Sequence, residues 1–330
     1  MKRIEAGSYY NYLPEGCKLC RRGSKLVFFI TGECDHSCFY CPISEEKKGK
    51  DVVYANERPV KNIKDVIKEI ETMDAEGVAV TGGEPFLKID RLFEYLKIFR
   101  DLDLHIHIYT SSTNSAMLSR ILEMVNEIRF HPVLLNNPEK FHKPISIAKE
   151  LGIEIGIEIP AIRFESKIVK TVNEFDVFLN LNELEFSSTN YSKLVKRGFA
   201  VGEFYGDVNS KNIAEEYSRV VNKFHYCTSL FKDRAQFRRR LIRMAMNHPE
   251  FYQITEDGTL ICGFIEGEDE RVKSILEMYG EEFVSVNNGY ETSADFVENE
   301  GENLKAMGLK ISIIERYPTW NRIVVEKIPL

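Results

Sequence analysis

Short apolar runs alternate with amphipathic segments over the first half of the chain. The runs have the length and the Val, Ile and Phe content of buried strands, and the segments between them carry apolar residues at helical spacing. Strands are predicted at 26–31, 77–81, 103–109, 127–131, 153–159 and 182–187. Helices are predicted at 62–72, 90–99, 115–124, 143–151 and 165–175. This order indicates parallel βα units and predicts an α/β fold, a partial (β/α)6 TIM-like barrel.

The regular alternation fades after about residue 188. Residues 188–215 are polar and rich in Gly, Asn and Ser, which is typical of an irregular connector. The elements predicted beyond it are a helix at 230–247, a hairpin of 252–255 with 260–264, a helical acidic stretch at 266–310, and strands at 310–315 and 322–328. We therefore expect an N-terminal segment 1–25, a barrel domain 26–187, and a smaller α+β C-terminal region 188–330 that serves substrate binding or an accessory metal.

Composition narrows the class of protein. The chain has 330 residues, of which 43% are hydrophobic and 29% charged, and these are values of an ordinary globular protein. No apolar run approaches the roughly 20 residues that cross a bilayer, so a membrane partner is not expected. The net charge of −7 gives no general attraction to nucleic acid. Seven cysteines without an apolar signal segment indicate metal binding in a reducing cytoplasm.

Three cysteines, Cys34, Cys38 and Cys41, follow the first predicted strand with Cys-x3-Cys-x2-Cys spacing. An iron–sulfur cube has four iron corners, so three thiolates leave one iron open to another ligand. A structural zinc site is normally closed by four ligands in two pairs, and a disulfide needs an oxidising compartment. The spacing therefore favours a [4Fe–4S] cluster with one iron that has no protein ligand. Such an iron indicates a catalytic cluster, because it can bind another molecule.

Polar residues also follow the other strands. Residues 82–85 read Gly-Gly-Glu-Pro after the second strand, 110–113 read Thr-Ser-Ser-Thr after the third, and His131 ends the fourth. Loops at the carboxyl ends of parallel barrel strands meet on one rim, where active sites form. Taken singly, a glycine pair is often a turn and a Ser or Thr is often a helix cap. Taken together, these loops are expected to share one site with the cysteines.

The run Cys34-Asp-His-Ser-Cys38-Phe-Tyr-Cys41 resembles the signature of the radical SAM superfamily, including the aromatic Tyr40 before the third cysteine. Residues 82–85 match the second landmark of that superfamily in order and position. The resemblance extends from the first strand to about residue 187. Within the superfamily, the chain is similar to an uncharacterised group related to the activating enzymes of glycyl-radical proteins such as pyruvate formate-lyase.

The resemblance implies a [4Fe–4S] cluster and S-adenosylmethionine (SAM) as cofactors, with the amino and carboxylate groups of SAM on the open iron. One electron, from a donor such as ferredoxin or flavodoxin, then cleaves SAM into methionine and a 5′-deoxyadenosyl radical that abstracts hydrogen from a substrate carbon. A non-catalytic iron–sulfur electron carrier is an alternative. The loop 82–85 argues against it, because an electron carrier needs no amino-acid-binding loop.

Gly82, Gly83, Glu84 and Pro85 are predicted to bind the methionine part of SAM. The two glycines let the backbone approach closely, and Glu84 with neighbouring carbonyls can accept hydrogen bonds from the ammonium group. By analogy with the superfamily, the backbone of Tyr40 is expected to contact adenine.

Three further strands supply weaker candidates for SAM. Ser111 and Ser112 are candidates for the carboxylate or the ribose hydroxyls, because a hydroxyl both donates and accepts. Glu158, on the fifth strand, is a candidate near adenine or ribose. Arg129, which shares one strand face with His131, is expected to neutralise a carboxylate of SAM or substrate. An internal ion pair is the alternative for Arg129.

The other four cysteines are Cys17, Cys20, Cys227 and Cys262. Cys17 and Cys20 have the Cys-x2-Cys spacing of a metal knuckle, so the four predict a second metal site, either structural zinc or a second [4Fe–4S] cluster. His225 could replace one of the four ligands. The alternative is that Cys227 and Cys262 are small buried hydrophobic residues and that the Cys17/Cys20 pair binds no metal.

The substrate is left open by the sequence. The basic stretch 232–243 would suit a phosphate or carboxylate, including an RNA backbone, or it is a solvated charged face. Hydrogen abstraction from a protein or an RNA therefore stands beside modification of a small metabolite.

Overall fold

The computed structural model describes residues 1–267 and 270–330. It divides into two compact units. The first unit contains residues 1–71 and 75–237, and the second contains residues 72–74 and 238–330. The first unit therefore continues past residue 187, where the sequence pattern places the end of the barrel.

The first unit is an α/β structure. Its strands are β1 (Lys2–Arg3), β2 (Tyr9–Tyr10), β3 (Lys25–Phe29), β4 (Tyr54–Ala55), β5 (Arg58–Pro59), β6 (Gly77–Thr81), β7 (His105–Thr110), β8 (Glu127–Phe130), β9 (Glu154–Pro160), β10 (Phe178–Asn182) and β11 (Phe224–Cys227). Its helices are α1 (Glu15–Arg22), α2 (Ile63–Thr72), α3 (Ile89–Asp101), α4 (Ser115–Ser119), α5 (His142–Glu150), α6 (Ser166–Glu174), α7 (Tyr191–Val195), α8 (Ser210–Ser218) and α9 (Ser229–Phe231). A π-helical turn, Lys232–Phe237, ends the unit.

Seven parallel strands form the centre of this unit. The sheet order is β1-β2-β11-β10-β9-β8-β7-β6-β3-β4-β5, in which β3, β6, β7, β8, β9, β10 and β11 run parallel. The sheet ends at the short antiparallel strands β1 and β5, which do not pair with each other, so the barrel is open. All residues of 1–237 are described. The α/β class and the partial, TIM-like barrel are therefore confirmed.

The predicted elements of the barrel agree with the structure for the first five strands and their helices. Helix α3 shows why, since Leu92, Leu96 and Phe99 recur at helical spacing and are fully buried. The predicted strand 182–187 is wrong, because the sixth strand is Phe178–Asn182. Its sequence, Phe-Leu-Asn-Leu-Asn, has amide side chains on one face, so it lacks the continuous apolar run that predicts a buried strand.

The seventh parallel strand, Phe224–Cys227, was not predicted. It has four residues and contains a histidine, yet all four residues are buried. It pairs with β10 through Leu179 opposite Phe224 and Asn182 opposite Cys227. A strand this short carries too few positions for an apolar pattern to identify it.

The second unit is a smaller α+β structure. Its helices are α10 (Arg238–Met246), α11 (Glu270–Tyr279), α12 (Ala294–Asn299) and α13 (Gly301–Ala306). Its strands are β12 (Gln253–Ile254), β13 (Leu260–Glu266), β14 (Val284–Val286), β15 (Gly289–Thr292), β16 (Ile311–Arg316) and β17 (Val324–Pro329), all antiparallel.

The predicted hairpin and the two closing strands of this unit agree with β12–β13 and β16–β17. The helical prediction for 266–310 is wrong in part, because the hairpin β14–β15 lies inside it. Asn287-Asn288-Gly289 at its turn is a hairpin signal, and Asn288 has φ 66° as such turns require. Glu268 and Asp269, which fall in the same predicted range, lie outside the described residues. No helix in the described part of the chain has the length and apolar character needed to cross a membrane.

Candidate functional site

The cysteine loop, residues 34–41, follows β3 and borders a cavity of about 650 Å³. Cys34 is exposed, and Cys38 and Cys41 are half-buried. The backbone N–H of His36 donates to Cys34 Sγ over 3.4 Å. All three sulfurs therefore sit as free thiols on one cavity, whose volume is in the range of ordinary ligand pockets.

The loop of residues 82–85 is fastened to the chain segment that leads into the cysteine loop. The Gly83 N–H donates to Thr31 O over 2.7 Å, and the Glu84 N–H donates to Glu33 O over 2.8 Å. A Cβ atom at Gly83 would lie 2.0 Å from Glu33 O, and one at Gly82 would lie 2.5 Å from Thr31 O. The glycines are required for this close approach of two backbones.

We expect Gly83→Ala to weaken SAM binding about tenfold or more. The added methyl group must push the two loops apart, and overpacking of this kind costs about 1–3 kcal/mol. Equilibrium dialysis of SAM against the anaerobic, cluster-loaded protein measures the effect. Gly301→Ala is the matched control, since a Cβ there meets Ile311 Cδ1 at an ordinary 3.6 Å. Equal SAM affinity in the two variants would show that the close approach is unimportant.

Glu84 connects this loop to the end of β7. Its carboxylate accepts hydrogen bonds from Thr110 Oγ1 at 2.6 Å, from Ser111 N–H at 2.7 Å and from Ser111 Oγ at 2.5 Å. The Phe86 N–H donates to it as well. Glu84 and Ser111 border the cavity, but these protein donors already engage both carboxylate oxygens. The Ser112 hydroxyl accepts from the Asn114 N–H, and Ser112 is not among the cavity-lining residues.

Tyr40 crosses the site to the ends of β8 and β9. Its hydroxyl lies 2.9 Å from His131 Nε2, and His131 Nδ1 lies 2.9 Å from the carbonyl oxygen of Glu158. Because a carbonyl can only accept, Nδ1 carries the proton and Nε2 accepts from the Tyr40 hydroxyl. Burial lowers the pKa of His131, so its imidazole is neutral at neutral pH. The backbone carbonyl of Tyr40 accepts from Asn190 Nδ2 at 3.1 Å.

Arg129 is the centre of a buried ion-pair network. Its Nε donates to Glu127 Oε1 at 2.5 Å, its Nη1 to Glu158 Oε2 at 2.6 Å, and its Nη2 to Cys17 Sγ at 3.2 Å. The guanidinium is 1% exposed. These contacts correspond to the internal ion pair that the sequence left as the alternative. The predicted contact of Arg129 with a carboxylate of SAM or substrate stays a prediction.

Glu158 is held ionised on the cavity wall. It accepts hydrogen bonds from Asn180 Nδ2 at 2.8 Å and from Asn182 Nδ2 at 2.7 Å, in addition to Arg129. Burial raises the pKa of this carboxyl, but Arg129 and the two amides more than offset that effect and the net pKa is lowered. Sequence reasoning missed Asn180 and Asn182, although their period of two along β10 was the available signal.

The four remaining cysteines do not share one environment. Cys17, Cys20 and Cys227 border the cavity of the first unit. Cys262 belongs to the core of the second unit, where it is fully buried and packs with Tyr252, Leu260 and Ile314. The side chains packed around Cys262 are apolar or aromatic, and burial raises the pKa of its thiol as it raises those of Cys17 and Cys227. This environment is that of a small buried hydrophobic residue.

The basic stretch 232–243 is divided between the two units after Phe237. Lys232, in the first unit, borders the cavity and pairs with Glu185 at 2.5 Å. Arg240, in the second unit, is 9% exposed. The stretch is therefore not a continuous solvated face.

The residues on this cavity fit the cofactors that the motifs imply. Three free thiols supply the soft ligands that an iron–sulfur cluster takes. The half-buried backbone at the glycine pair and the hydroxyls at the end of β7 border the cavity and are polar groups of the kind that a zwitterionic amino-acid ligand needs. Both sets border the same space.

Comparison with known proteins gives the family. The profile of the radical SAM superfamily matches residues 28–146, and that of a domain of unknown function matches residues 258–330. A protein of Methanocaldococcus jannaschii, provisionally named a glycyl-radical enzyme activating enzyme, is 37% identical over 354 residues, covering 97% of this chain and 94% of that protein. A Fibrobacter S-adenosylmethionine-dependent nucleotide dehydratase is 24% identical over 103 residues, covering 30% of each chain.

Solved structures resemble the chain more distantly. Streptococcus suis SuiB bound to S-adenosylmethionine has a TM-score of 0.42 and 16% identity, and the match covers 63% of this chain and 51% of that one. The methyltransferase TsrM of Kitasatospora setae has a TM-score of 0.38 and 10% identity over 78% of this chain and 58% of its own.

The M. jannaschii relative matches nearly the whole length of both proteins, and the superfamily profile matches the segment that contains both motifs. The chain therefore belongs to the radical SAM superfamily: it is a radical SAM enzyme related to activating enzymes of glycyl-radical proteins, with a [4Fe–4S] cluster and S-adenosylmethionine as its cofactors.

Proposed function

We propose that this enzyme abstracts a hydrogen atom from a glycine residue of a protein substrate. When bound and reduced, the cluster supplies the electron that splits SAM into methionine and the 5′-deoxyadenosyl radical. The radical takes a hydrogen atom from the glycine α-carbon, which gives 5′-deoxyadenosine and a protein-centred glycyl radical. The observation that carries the proposal is the similarity, along 97% of the chain, to a protein provisionally named an activating enzyme of this kind.

The cluster is assigned to Cys34, Cys38 and Cys41. Their position on the cavity supports this assignment, as does the N–H of His36 at Cys34, because hydrogen bonds to sulfur tune such clusters. A cluster held by these three thiolates would leave one iron for the amino and carboxylate groups of SAM.

The methionine part of SAM is assigned to the backbone of residues 82–85. Both Glu84 oxygens already accept from protein donors, so we assign the ammonium group chiefly to main-chain carbonyls of this loop. Glu84 is then a positioning residue that fixes Ser111 and Thr110 relative to the cysteine loop. Ser111 borders the cavity and donates its hydroxyl proton to Glu84, so its remaining lone pairs can accept from a hydroxyl group, and we assign it to the ribose.

Adenine is assigned to the space beside Tyr40. The Tyr40 carbonyl can accept a second hydrogen bond in addition to that from Asn190, and the hydroxyl is fixed by neutral His131. A fixed ring at this point orients the nucleoside and excludes water from the space where the radical forms.

The protein substrate can be separated from the alternatives by isotope transfer. Extract of cells grown on α-deuterated glycine is split into protein, RNA and small-molecule fractions. Each fraction is incubated anaerobically with the reduced enzyme and SAM, and the 5′-deoxyadenosine formed is analysed by mass spectrometry. We expect deuterium in 5′-deoxyadenosine with the protein fraction, together with a glycyl-radical signal in electron paramagnetic resonance.

Other outcomes have definite meanings. If 5′-deoxyadenosine forms only with the RNA or the small-molecule fraction and contains no deuterium, the substrate belongs to that class and is not a protein. No SAM cleavage with any fraction would refute hydrogen abstraction itself. The Cys38→Ala variant, run in parallel, corrects for enzyme-independent breakdown of SAM.

A further inference from the structure

Three cysteines outside the cysteine loop meet on the same cavity. Cys17 and Cys20 lie one turn apart on α1, and Cys227 ends the seventh parallel strand β11. All three border the cavity, together with Asn180 and Gln236. Cys17 Sγ lies 3.8 Å from Asn180 Oδ1, and Asn180 and Asn182 pair with His225 and Cys227 where β10 and β11 meet. Residues far apart in sequence thus bring three sulfur donors to one place in the first unit.

A histidine nitrogen beside this group lacks a partner. Ionised Glu158 can only accept, so the amide of Asn180 must point its nitrogen to Glu158 and its oxygen the other way. That oxygen lies 2.5 Å from His225 Nδ1 and 3.8 Å from Cys17 Sγ. His225 Nδ1 therefore carries the proton, and Nε2 keeps its lone pair.

His225 Nε2 has no hydrogen-bond partner among the described residues, although His225 is only 2% exposed. Leaving a polar atom unsatisfied at this depth is costly. A histidine that donates one ring nitrogen to an oxygen acceptor and offers the other as a free lone pair has the arrangement of a metal ligand.

Cationic side chains border the same cavity as the three sulfurs. Arg129 Nη2 donates to Cys17 Sγ at 3.2 Å. Lys25 and Lys232 also border the cavity, and Lys25 is 8% exposed. Arg129 also pairs with Glu127 and Glu158, and Lys232 pairs with Glu185, so these carboxylates balance part of the positive charge.

The spacing of the donors distinguishes a cluster from zinc. Zinc bonds of about 2.0–2.3 Å in a tetrahedron bring neighbouring ligand atoms within about 4 Å of one another. In the described part of the chain, one set of three His, Cys, Asp or Glu side chains has its ligand atoms within 4.8 Å of one another, and it consists of His105, His107 and Glu127. The three cysteines and His225 are not in that set, so their donor atoms are spaced more widely. An iron–sulfur cube places each ligand on a separate iron and so tolerates the wider spacing.

We propose that Cys17, Cys20 and Cys227, with His225 as the fourth ligand, hold a second iron–sulfur cluster in the first unit. Cys262 is not part of it. This site differs from the four-cysteine site that the sequence suggested, and it stands independently of the protein substrate proposed above.

Iron and acid-labile sulfide per chain test the proposal on full-length protein reconstituted anaerobically. In a variant with Cys34, Cys38 and Cys41 all changed to Ala, we expect about four iron atoms and four sulfides per chain to remain. In the reciprocal variant, with Cys17, Cys20 and Cys227 changed to Ser, we expect a similar number to remain and SAM still to perturb the signal of the reduced cluster. Combining both sets should remove all iron.

Two single variants sharpen the test. Cys262→Ala is the control and should keep the iron content of the unchanged chain. His225→Ala should lower the retention of the second cluster during dialysis against a chelator by about 10-fold or more. Circular dichroism verifies that each variant is folded.

Three results would overturn the proposal. One is a folded loop-cysteine variant that holds neither iron nor sulfide. Another is one zinc ion in place of iron in that variant, which would refute the cluster. The third is loss of iron in Cys262→Ala equal to that in the Cys17, Cys20 and Cys227 variant.

Discussion

Cys38→Ala is expected to reduce 5′-deoxyadenosine formation to the level seen without enzyme. With two thiolates left, the cysteine loop cannot hold a cube that also presents an open iron to SAM. Iron content is expected to fall by about four atoms per chain. The measurements are chromatography of 5′-deoxyadenosine after anaerobic reduction and iron per chain on the same sample.

Cys262→Ala is the matched control for this experiment. It also removes one thiol, but from the apolar core of the second unit, so SAM cleavage should be retained. If Cys38→Ala still cleaved SAM at the rate of the control, the assignment of the cluster to the cysteine loop would be refuted.

Arg129→Met is expected to lower the free energy of unfolding by about 3–5 kcal/mol, because the change leaves buried carboxylates without their counter-charge. Glu127 is fully buried, and the side chain of Glu158 is 15% exposed. Urea unfolding followed by circular dichroism at neutral pH measures the change. The native pKa of Glu158 is lowered, so its contribution to stability is present above the ordinary pKa of a carboxyl and is lost as the pH falls through the native value. Without Arg129 the pKa of Glu158 should rise instead, so the difference between the two proteins should shrink towards acidic pH.

Arg22→Met is the control for the loss of an arginine. Arg22 pairs with Glu76 at 2.7 Å, but its side chain is 50% exposed, and an exposed pair contributes at most about 1 kcal/mol. Similar destabilisation by the two changes would mean that the buried network contributes no more to stability than a surface ion pair.

Strands β3 and β6 to β9 and their helices were predicted because long apolar or amphipathic runs identify them. The predicted position of strand β10 was wrong because Asn180 and Asn182 interrupt its apolar run. The strand β11 was missed because its four residues are too few to show a pattern, and its burial comes from β10 and β2 on either side.

Side-chain roles were predicted less well than positions. The sequence placed Glu84, Ser111, Arg129 and Glu158 near one rim, and all four border one cavity. It could not show that Glu84 binds Ser111 or that Arg129 binds Glu158, because these pairs depend on how neighbouring strands align. Alignment of strands is set by packing across the whole sheet.

The cofactors of this protein can be recognised from the sequence, because the spacing of Cys34, Cys38 and Cys41 and the run 82–85 are local motifs of neighbouring residues. The sequence also determined the alternation of β and α elements, since hydrophobic period is a local property. The three-dimensional fold was needed to show that Cys17, Cys20 and Cys227 border one cavity and that Cys262 does not. Cys17 on α1 lies 3.8 Å from Asn180 of β10, and β10 pairs with the strand that carries Cys227, whereas Cys262 is buried in another core. Contacts between residues so distant in the chain leave no local pattern.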